Sequence, residues 1–137
     1  MDIKLTAQVE IIPQYYDCDP MGIVWHGNYL RFFEDARVAL MGKIDFDYPA
    51  MDASGFIWPI IDVRVKYIKS ALVAQRIRVE AELLEYENRI RVGYLIVDAE
   101  NGERITKGHT IQVAVNSTTG EMSFVTPKVF LDCLRGA

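Results

Sequence analysis

Between Tyr15 and Arg37 the chain places Asp17, Cys18, Asp19 and His26 directly ahead of a strongly apolar stretch. Two aspartates two positions apart project their carboxylates to the same side of an extended segment. Pro20 biases Asp19 toward an extended backbone, and Gly22 and Gly27 let the loop turn tightly or admit a ligand to the backbone. A helix predicted from about Asn28 would bring free N–H groups and a positive dipole end within ten residues of Asp19. A carboxylate facing oriented N–H donors is a workable hydrolytic pair. One part attacks or activates water, and the other stabilises a tetrahedral intermediate.

The same residues have plainer uses. Aspartates in a Gly/Pro loop make turns and caps, and Asn28 is a good N-cap by itself. His26 can hydrogen-bond the loop. Cys18 can be a small buried filler or, with His26, a nucleophile. His109 shares parity with the apolar residues of its strand and reads as a core histidine. Glu34 and Asp35 pair at helical spacing with Arg37 and Arg31.

The elements that must position these groups are legible from periodicity. Residues 3 to 11 alternate apolar and polar, a half-buried strand ending near Pro13. From Tyr29 to Met41 a helix is apolar nearly all round, which predicts that protein surrounds most of it, and Gly42 and Lys43 suit its C-terminal end. After the loop "DFDYPAMDASG", alternating runs predict strands around Ile61–Tyr67, Ile77–Leu83, Ile90–Ile96 and Ile105–Val115. Asn101-Gly102 marks a hairpin between the last two. "STTGE" predicts another tight turn before a short strand near Met122–Val125, and a C-terminal helix can start after Pro127. One helix and a run of consecutive antiparallel strands predict an α+β fold, a single helix layered on a single sheet.

With 137 residues the chain suits one domain spanning 1–137. A net charge of −4 argues against nucleic acid as a partner. No apolar run reaches membrane-spanning length, and "MDIKLTAQVE" lacks a signal-peptide core. Two cysteines without a CxxC, and histidines only at 26 and 109, support neither a disulfide framework nor a zinc site. These features predict a cytoplasmic, metal-free protein. Between residues 64 and 91 stand seven basic residues (Arg64, Lys66, Lys69, Arg76, Arg78, Arg89, Arg91) against four glutamates, either a solvated sheet face or a surface for phosphate groups.

The run Asp17-Cys18-Asp19-Pro20-Met21-Gly22-Ile23-Val24-Trp25-His26-Gly27-Asn28-Tyr29-Leu30-Arg31-Phe32-Phe33-Glu34 resembles the signature of hotdog-fold acyl-CoA thioesterases. It is most similar to the 4-hydroxybenzoyl-CoA thioesterase family and its Tol-Pal-associated branch, and the resemblance extends over the whole chain. It implies a five- to six-stranded antiparallel sheet wrapped around one long central helix. It implies hydrolysis of a short- or medium-chain or aromatic acyl-CoA, with no cofactor beyond the coenzyme A carried by the substrate. Asp19 would be nucleophile or general base, His26 would orient the thioester or water, and backbone N–H groups around Trp25, Gly27 and Asn28 would polarise the carbonyl. Trp58 and Glu34 would border an acyl pocket, although the longer Glu34 argues against 4-hydroxybenzoyl itself. The resemblance further implies a homodimer that forms the active site, and a tetramer as a dimer of dimers. An acyl-carrier-protein thioesterase, a non-catalytic acyl-CoA-binding module, a Cys18–His26 hydrolase and a hotdog dehydratase are the rival readings.

Overall fold

A computed structural model describes residues 3–136. The chain runs β1 (Thr6–Ile11), α1 (Asn28–Gly42), α2 (Tyr48–Ala53), β2 (Phe56–Ile57), β3 (Ile60–Tyr67), β4 (Ile77–Glu85), β5 (Ile90–Asp98), β6 (Arg104–Gln112), β7 (Val115–Asn116) and α3 (Lys128–Arg135). Five strands form one antiparallel sheet in the order β1-β4-β5-β6-β3, and β2 pairs with β7 in a separate ribbon. The expected architecture is present: α+β, with α1 laid on one face of the sheet.

Strand alternation sorts the side chains. Ile77, Val79, Ala81 and Leu83 of β4, and Ile90, Val92, Tyr94 and Ile96 of β5, are buried, while their polar neighbours face outward. From the helix, Tyr29, Phe32, Phe33, Ala36 and Leu40 meet this inner face, and Phe33 stacks on Tyr94 with ring centroids 4.4 Å apart. Gly108 of β6 lets the layers close. A β-carbon there would lie 2.1 Å from the Arg64 carbonyl oxygen and 2.9 Å from Cε2 of Phe33.

Several expectations are corrected. The central helix is of modest length, fifteen residues, and it is not enclosed by protein, since Leu30 and Val38 are exposed. The predicted loop after α1 holds α2, capped where the Asp47 carboxylate accepts from the Ala50 N–H. The chain near Met122 makes only a single bridge, to Val115. His109 is half-buried opposite Arg64, outside the core. Arg31 pairs with Asp17 instead of Asp35, because the loop returns over the helix start; Glu34 pairs with Arg37 as spacing predicts. The apolar residues of β3 are less covered than alternation implies: Val63 on the inner face is 41% exposed and Ile61, displaced in a bulge between Ile60 and Asp62, is 57%, on a strand with no neighbour beyond it among the described residues. The turn at Gly102, with φ +75°, and the C-terminal helix lie where predicted.

Candidate active site

The loop between β1 and α1 is built on backbone hydrogen bonds. Cys18 bridges Val24, and the Asp19 carbonyl accepts from the Gly22 N–H (3.0 Å), with Pro20 and Met21 inside the turn. Gly22 has φ +81°, the left-handed region that glycine enters without strain. The Asp19 carboxylate is half-buried, and its Oδ1 accepts the Met21 N–H at 2.9 Å, an Asx turn. Its other oxygen has no partner among the described residues.

Asp17 is different. It is 4% exposed, and its carboxylate accepts from the Gln14 N–H and the Arg31 guanidinium. Its carbonyl accepts the Trp25 N–H (3.0 Å) and the Asn28 side-chain amide (2.7 Å). Asp17 therefore ties the two ends of the loop together. The spacing that suggested paired carboxylates is overridden by a single 3-10 turn, Tyr15–Asp17, which buries one and leaves the other near solvent.

At the helix start, Gly27 occupies the N-cap position and Asn28 the first helical turn, so Asn28 is not the cap. No side chain caps the helix, and no acidic residue lies in its first turn. The positive end of α1 therefore faces the loop with no acid of its own first turn to offset it, while the Asp17 carboxylate is engaged by the Arg31 guanidinium. Trp25 and His26 are exposed, their rings 4.9 Å apart, and the imidazole has no hydrogen bond among the described residues.

Two supports could not be read from local pattern. The Tyr67 hydroxyl, at the end of β3, donates to the His26 carbonyl at 2.7 Å. Ala71 accepts the Val24 N–H (2.9 Å) and donates its own N–H to the Tyr29 hydroxyl (2.9 Å). Burial raises the phenolic pKa of Tyr29, keeping that hydroxyl neutral. Parity with Val65 could have placed Tyr67 on the inner face; nothing in the sequence marks Ala71.

The thiol of Cys18 is raised above its ordinary pKa, first by desolvation and then by the charges of Asp17 and Asp19. That is the opposite of what a thiolate nucleophile needs.

Glu34 and Trp58 lie elsewhere. Glu34 accepts from Arg37 and from the Tyr48 hydroxyl, a bond that raises the Tyr48 pKa, with burial adding to it. Trp58 packs among Phe46, Phe56 and Phe130. It borders a cavity of about 320 Å³ whose lining includes Arg37, Met41, Phe46, Tyr48 and Gln112. Gln112 is 4% exposed; its amide donates to the Trp58 carbonyl (2.9 Å), so its Oε1 is the acceptor left without a partner. Arg37 and Met41 stand nine to thirteen residues beyond Asn28, which places this cavity roughly 14–20 Å along α1 from the loop. Within one protomer the loop residues Asp19, Trp25, His26, Gly27 and Asn28 come together, and the acyl-pocket candidates do not join them.

Among the described residues, no helix is long and apolar enough to cross a membrane, and no group of three or more His, Cys, Asp or Glu could hold a metal ion.

A family profile described as the Thioesterase-like superfamily matches residues 13–132. A stretch of 63 residues is 38% identical to a Bacillus subtilis protein named "Putative acyl-CoA thioesterase YneP", covering 46% of each chain. The chain thus spans about half the length of that relative. The crystal structure of a DHNA-CoA thioesterase from Staphylococcus aureus is 32% identical, covering 85% of this chain and 78% of that one, with a TM-score of 0.78. A 1,4-dihydroxy-2-naphthoyl-CoA thioesterase from Synechocystis, 17% identical with 95% and 96% covered, shares the fold at a TM-score of 0.84.

Proposed function

The chain belongs to the thioesterase-like superfamily, and from that premise we propose that it is an acyl-CoA thioesterase whose reacting carboxylate is Asp19. The observation that carries this reading is the pairing of a half-buried Asp19, one oxygen unpartnered, with a helix start that no side chain caps. Asp19 either adds to the thioester carbonyl or takes a proton from a water that does so. The oxyanion is held by the backbone N–H of Gly27 at the helix start, since the N–H groups of Trp25 and Asn28 already donate to the carbonyls of Asp17 (3.0 Å) and Trp25 (2.9 Å). Collapse breaks the C–S bond, and the thiolate leaves and is protonated. In the nucleophilic route, water then cleaves the resulting anhydride. Both routes yield a carboxylic acid and free thiol. His26, its imidazole unbonded beside this start, orients the thioester or the water.

The aromatic lining around Trp58 supports an aromatic acyl group. Because that cavity lies far along α1 from Asp19, a complete site calls for a second copy. The exposed apolar edge of β3 is the surface for it. Two such dimers would give the tetramer. Free Cys18 and Cys133 suit a cytoplasmic setting, and the single sheet-and-helix core suits one domain.

The test is a panel of acyl-CoA and carrier-protein thioesters with a thiol-detecting readout. Wild type should release thiol from at least one, and Asp19→Asn should lose about a hundredfold or more. Equal rates would remove Asp19 from the chemistry; binding without turnover would leave an acyl-CoA-binding module. Single-turnover hydrolysis in ¹⁸O-labelled water that leaves label in Asp19 establishes the nucleophilic route, with water opening the anhydride at the Asp19 carbonyl.

A further inference from the structure

The basic residues between 64 and 91 do not form one surface. Arg78 pairs with Glu80 (2.8 Å), and Arg89 and Arg91 both pair with Glu85 (2.7 and 3.4 Å). Lys69 pairs with Glu103 (2.8 Å), and Arg76 adds to the field that holds the Asp98 carboxyl below its usual range. Arg64 and Lys66 are left without an ion pair among the described residues.

Strand register shows where those two point. Lys66 stands directly opposite Lys107, and Arg64 directly opposite His109, on the sheet face away from α1. Beyond them, Lys107 faces Leu95 and His109 faces Gly93 on β5; only on β4 do the rows reach Glu80 and Glu82. Those carboxylates are therefore two strands from the β6 cations, roughly 10 Å at the usual strand spacing. Glu80 is moreover held by Arg78. A directly opposed lysine pair with no neighbouring acid is destabilising by itself. It occurs here in a chain of net charge −4, on a hollow of about 1090 Å³ that Lys4, Lys43 and Arg91 also border, with Glu80 and Glu82 on its β4 side. A ligand carrying concentrated negative charge would turn that cost into attraction.

The hollow and the candidate active site lie back to back across one strand. Consecutive residues of β3 point to opposite faces, so Lys66 faces the hollow while Tyr67 turns inward and bonds the His26 carbonyl. A flexible arm passing the β3 end could have its anionic terminus at Lys66 and its thioester at the helix start.

Building on the thioesterase reading, we infer that Arg64, Lys66 and Lys107, with His109, hold the phosphoryl groups at the far end of the substrate's pantetheine arm. The groups are either the nucleotide phosphates of coenzyme A or the 4′-phosphate alone, as a carrier protein would present it.

The experiment compares one acyl group on three carriers: coenzyme A, 4′-phosphopantetheine and unphosphorylated pantetheine. In the Lys66→Glu/Lys107→Glu variant, the ratio of kcat/KM for acyl-CoA to that for acyl-pantetheine should fall about tenfold or more. The milder Lys66→Gln/Lys107→Gln pair should fall less, with a weaker dependence on ionic strength. A matching fall for acyl-phosphopantetheine identifies the 4′-phosphate as the bound group; a fall confined to acyl-CoA identifies the nucleotide phosphates. A ratio unchanged in both variants overturns the inference. Calorimetric binding of coenzyme A and 3′,5′-ADP to wild type and variants separates this failure from that of the thioesterase reading. Absence of hydrolysis on every carrier sinks the latter, while equal coenzyme A affinity in wild type and variant sinks the former.

Discussion

A β-carbon on residue 27 would lie 2.2 Å from the Trp25 ring, so glycine there is what lets the indole close over the start of α1. The backbone φ of Gly27 is an ordinary −72°, and the requirement is one of space alone. Gly27→Ala must push the indole outward or shift the N-cap itself. Trp25 is half exposed and can swing into solvent, so the stability loss should stay below about 1 kcal/mol. Displacing the proposed oxyanion donor is more serious, and thioester turnover should fall about a hundredfold. Urea melts, tryptophan fluorescence and thiol release on the same variant check both halves.

Asp17 and Asp19 should separate cleanly under mutation. Asp17→Ala leaves the Gln14 N–H and Arg31 without their shared acceptor. It should cost about 1–2 kcal/mol, held down because Arg31 is half exposed and water screens it. Asp19→Asn preserves an oxygen for the Met21 N–H, so its melting temperature should stay near wild type while turnover falls about a hundredfold or more. Thermal melts paired with thiol-release rates make the comparison; a melting loss at Asp19 as large as at Asp17 would assign both residues to the loop's architecture.

This division marks the limit of what local sequence can carry. Alternation placed β1, β4 and β5, and the Asn-Gly pair placed the β5–β6 turn, because those signals depend on near neighbours. Helical spacing offered Arg31 a partner on its own helix, Asp35; the true one, Asp17, arrives through the fold of a loop. The resemblance of residues 17–34 drew attention to Asp19, yet only the 3-10 turn at Tyr15–Asp17 separates its role from that of Asp17. The apolar side chains of β3 alternate as read from Val63 to Tyr67, with Ile61 displaced by the bulge, and their exposure was invisible because periodicity reports which face a residue takes, not what covers it. The cavity beside Trp58 joins α1, α2, β2 and β6, so no single window of sequence contains it.

Gly108 should be among the least replaceable positions in the sheet. Its β-carbon would meet backbone of the neighbouring strand, the Arg64 carbonyl at 2.1 Å, which cannot swing aside as a side chain does. Gly108→Ala must separate β3 from β6 or lift Phe33 off Tyr94, and should cost about 3 kcal/mol or more. Chemical denaturation measures it; a midpoint like that of wild type would show that the strands are not held so closely.

Acid should weaken the fold through Asp98. Its carboxyl is held below the usual aspartate range, chiefly by the Gln75 amide (2.7 Å) and also by the N–H groups of Glu100 and Asn101. Because the folded pKa is depressed, this contribution is fully present above the unfolded value of about 3.9 and is lost as pH falls through the folded one. Asp98→Asn turns an amide toward Gln75, which cannot flip because its Oε1 already accepts the Leu72 N–H. The variant should therefore be less stable than wild type at pH 7, with the two curves converging as pH falls below the ordinary aspartate range. Urea midpoints across that range test it, and a constant offset would exclude the ionised carboxylate as the cause.

The edge of the sheet should decide oligomeric state. β3 is eight residues long, and its outer edge offers backbone hydrogen-bonding groups with no strand to receive them. Isolated edges are normally protected by bulges, prolines or inward-pointing charges. β3 has a bulge between Ile60 and Asp62 and carries its charges, Asp62, Arg64 and Lys66, on the face away from α1, and it keeps Ile61 and Val63 exposed. If a second copy pairs with this edge, Ile61 and Val63 are covered, and a lysine at either would carry charge into the joint. In a lone protomer the same substitution would sit in water and alter stability by less than about 0.5 kcal/mol. Ile61→Lys/Val63→Lys should therefore stay folded by circular dichroism yet run at half the wild-type mass by light scattering. Its thioester turnover should fall with the dimer fraction, because Asp19 and the Trp58 cavity are far apart within each copy. A monomeric wild type, or a fully active monomeric variant, would show instead that one chain builds its acyl pocket alone.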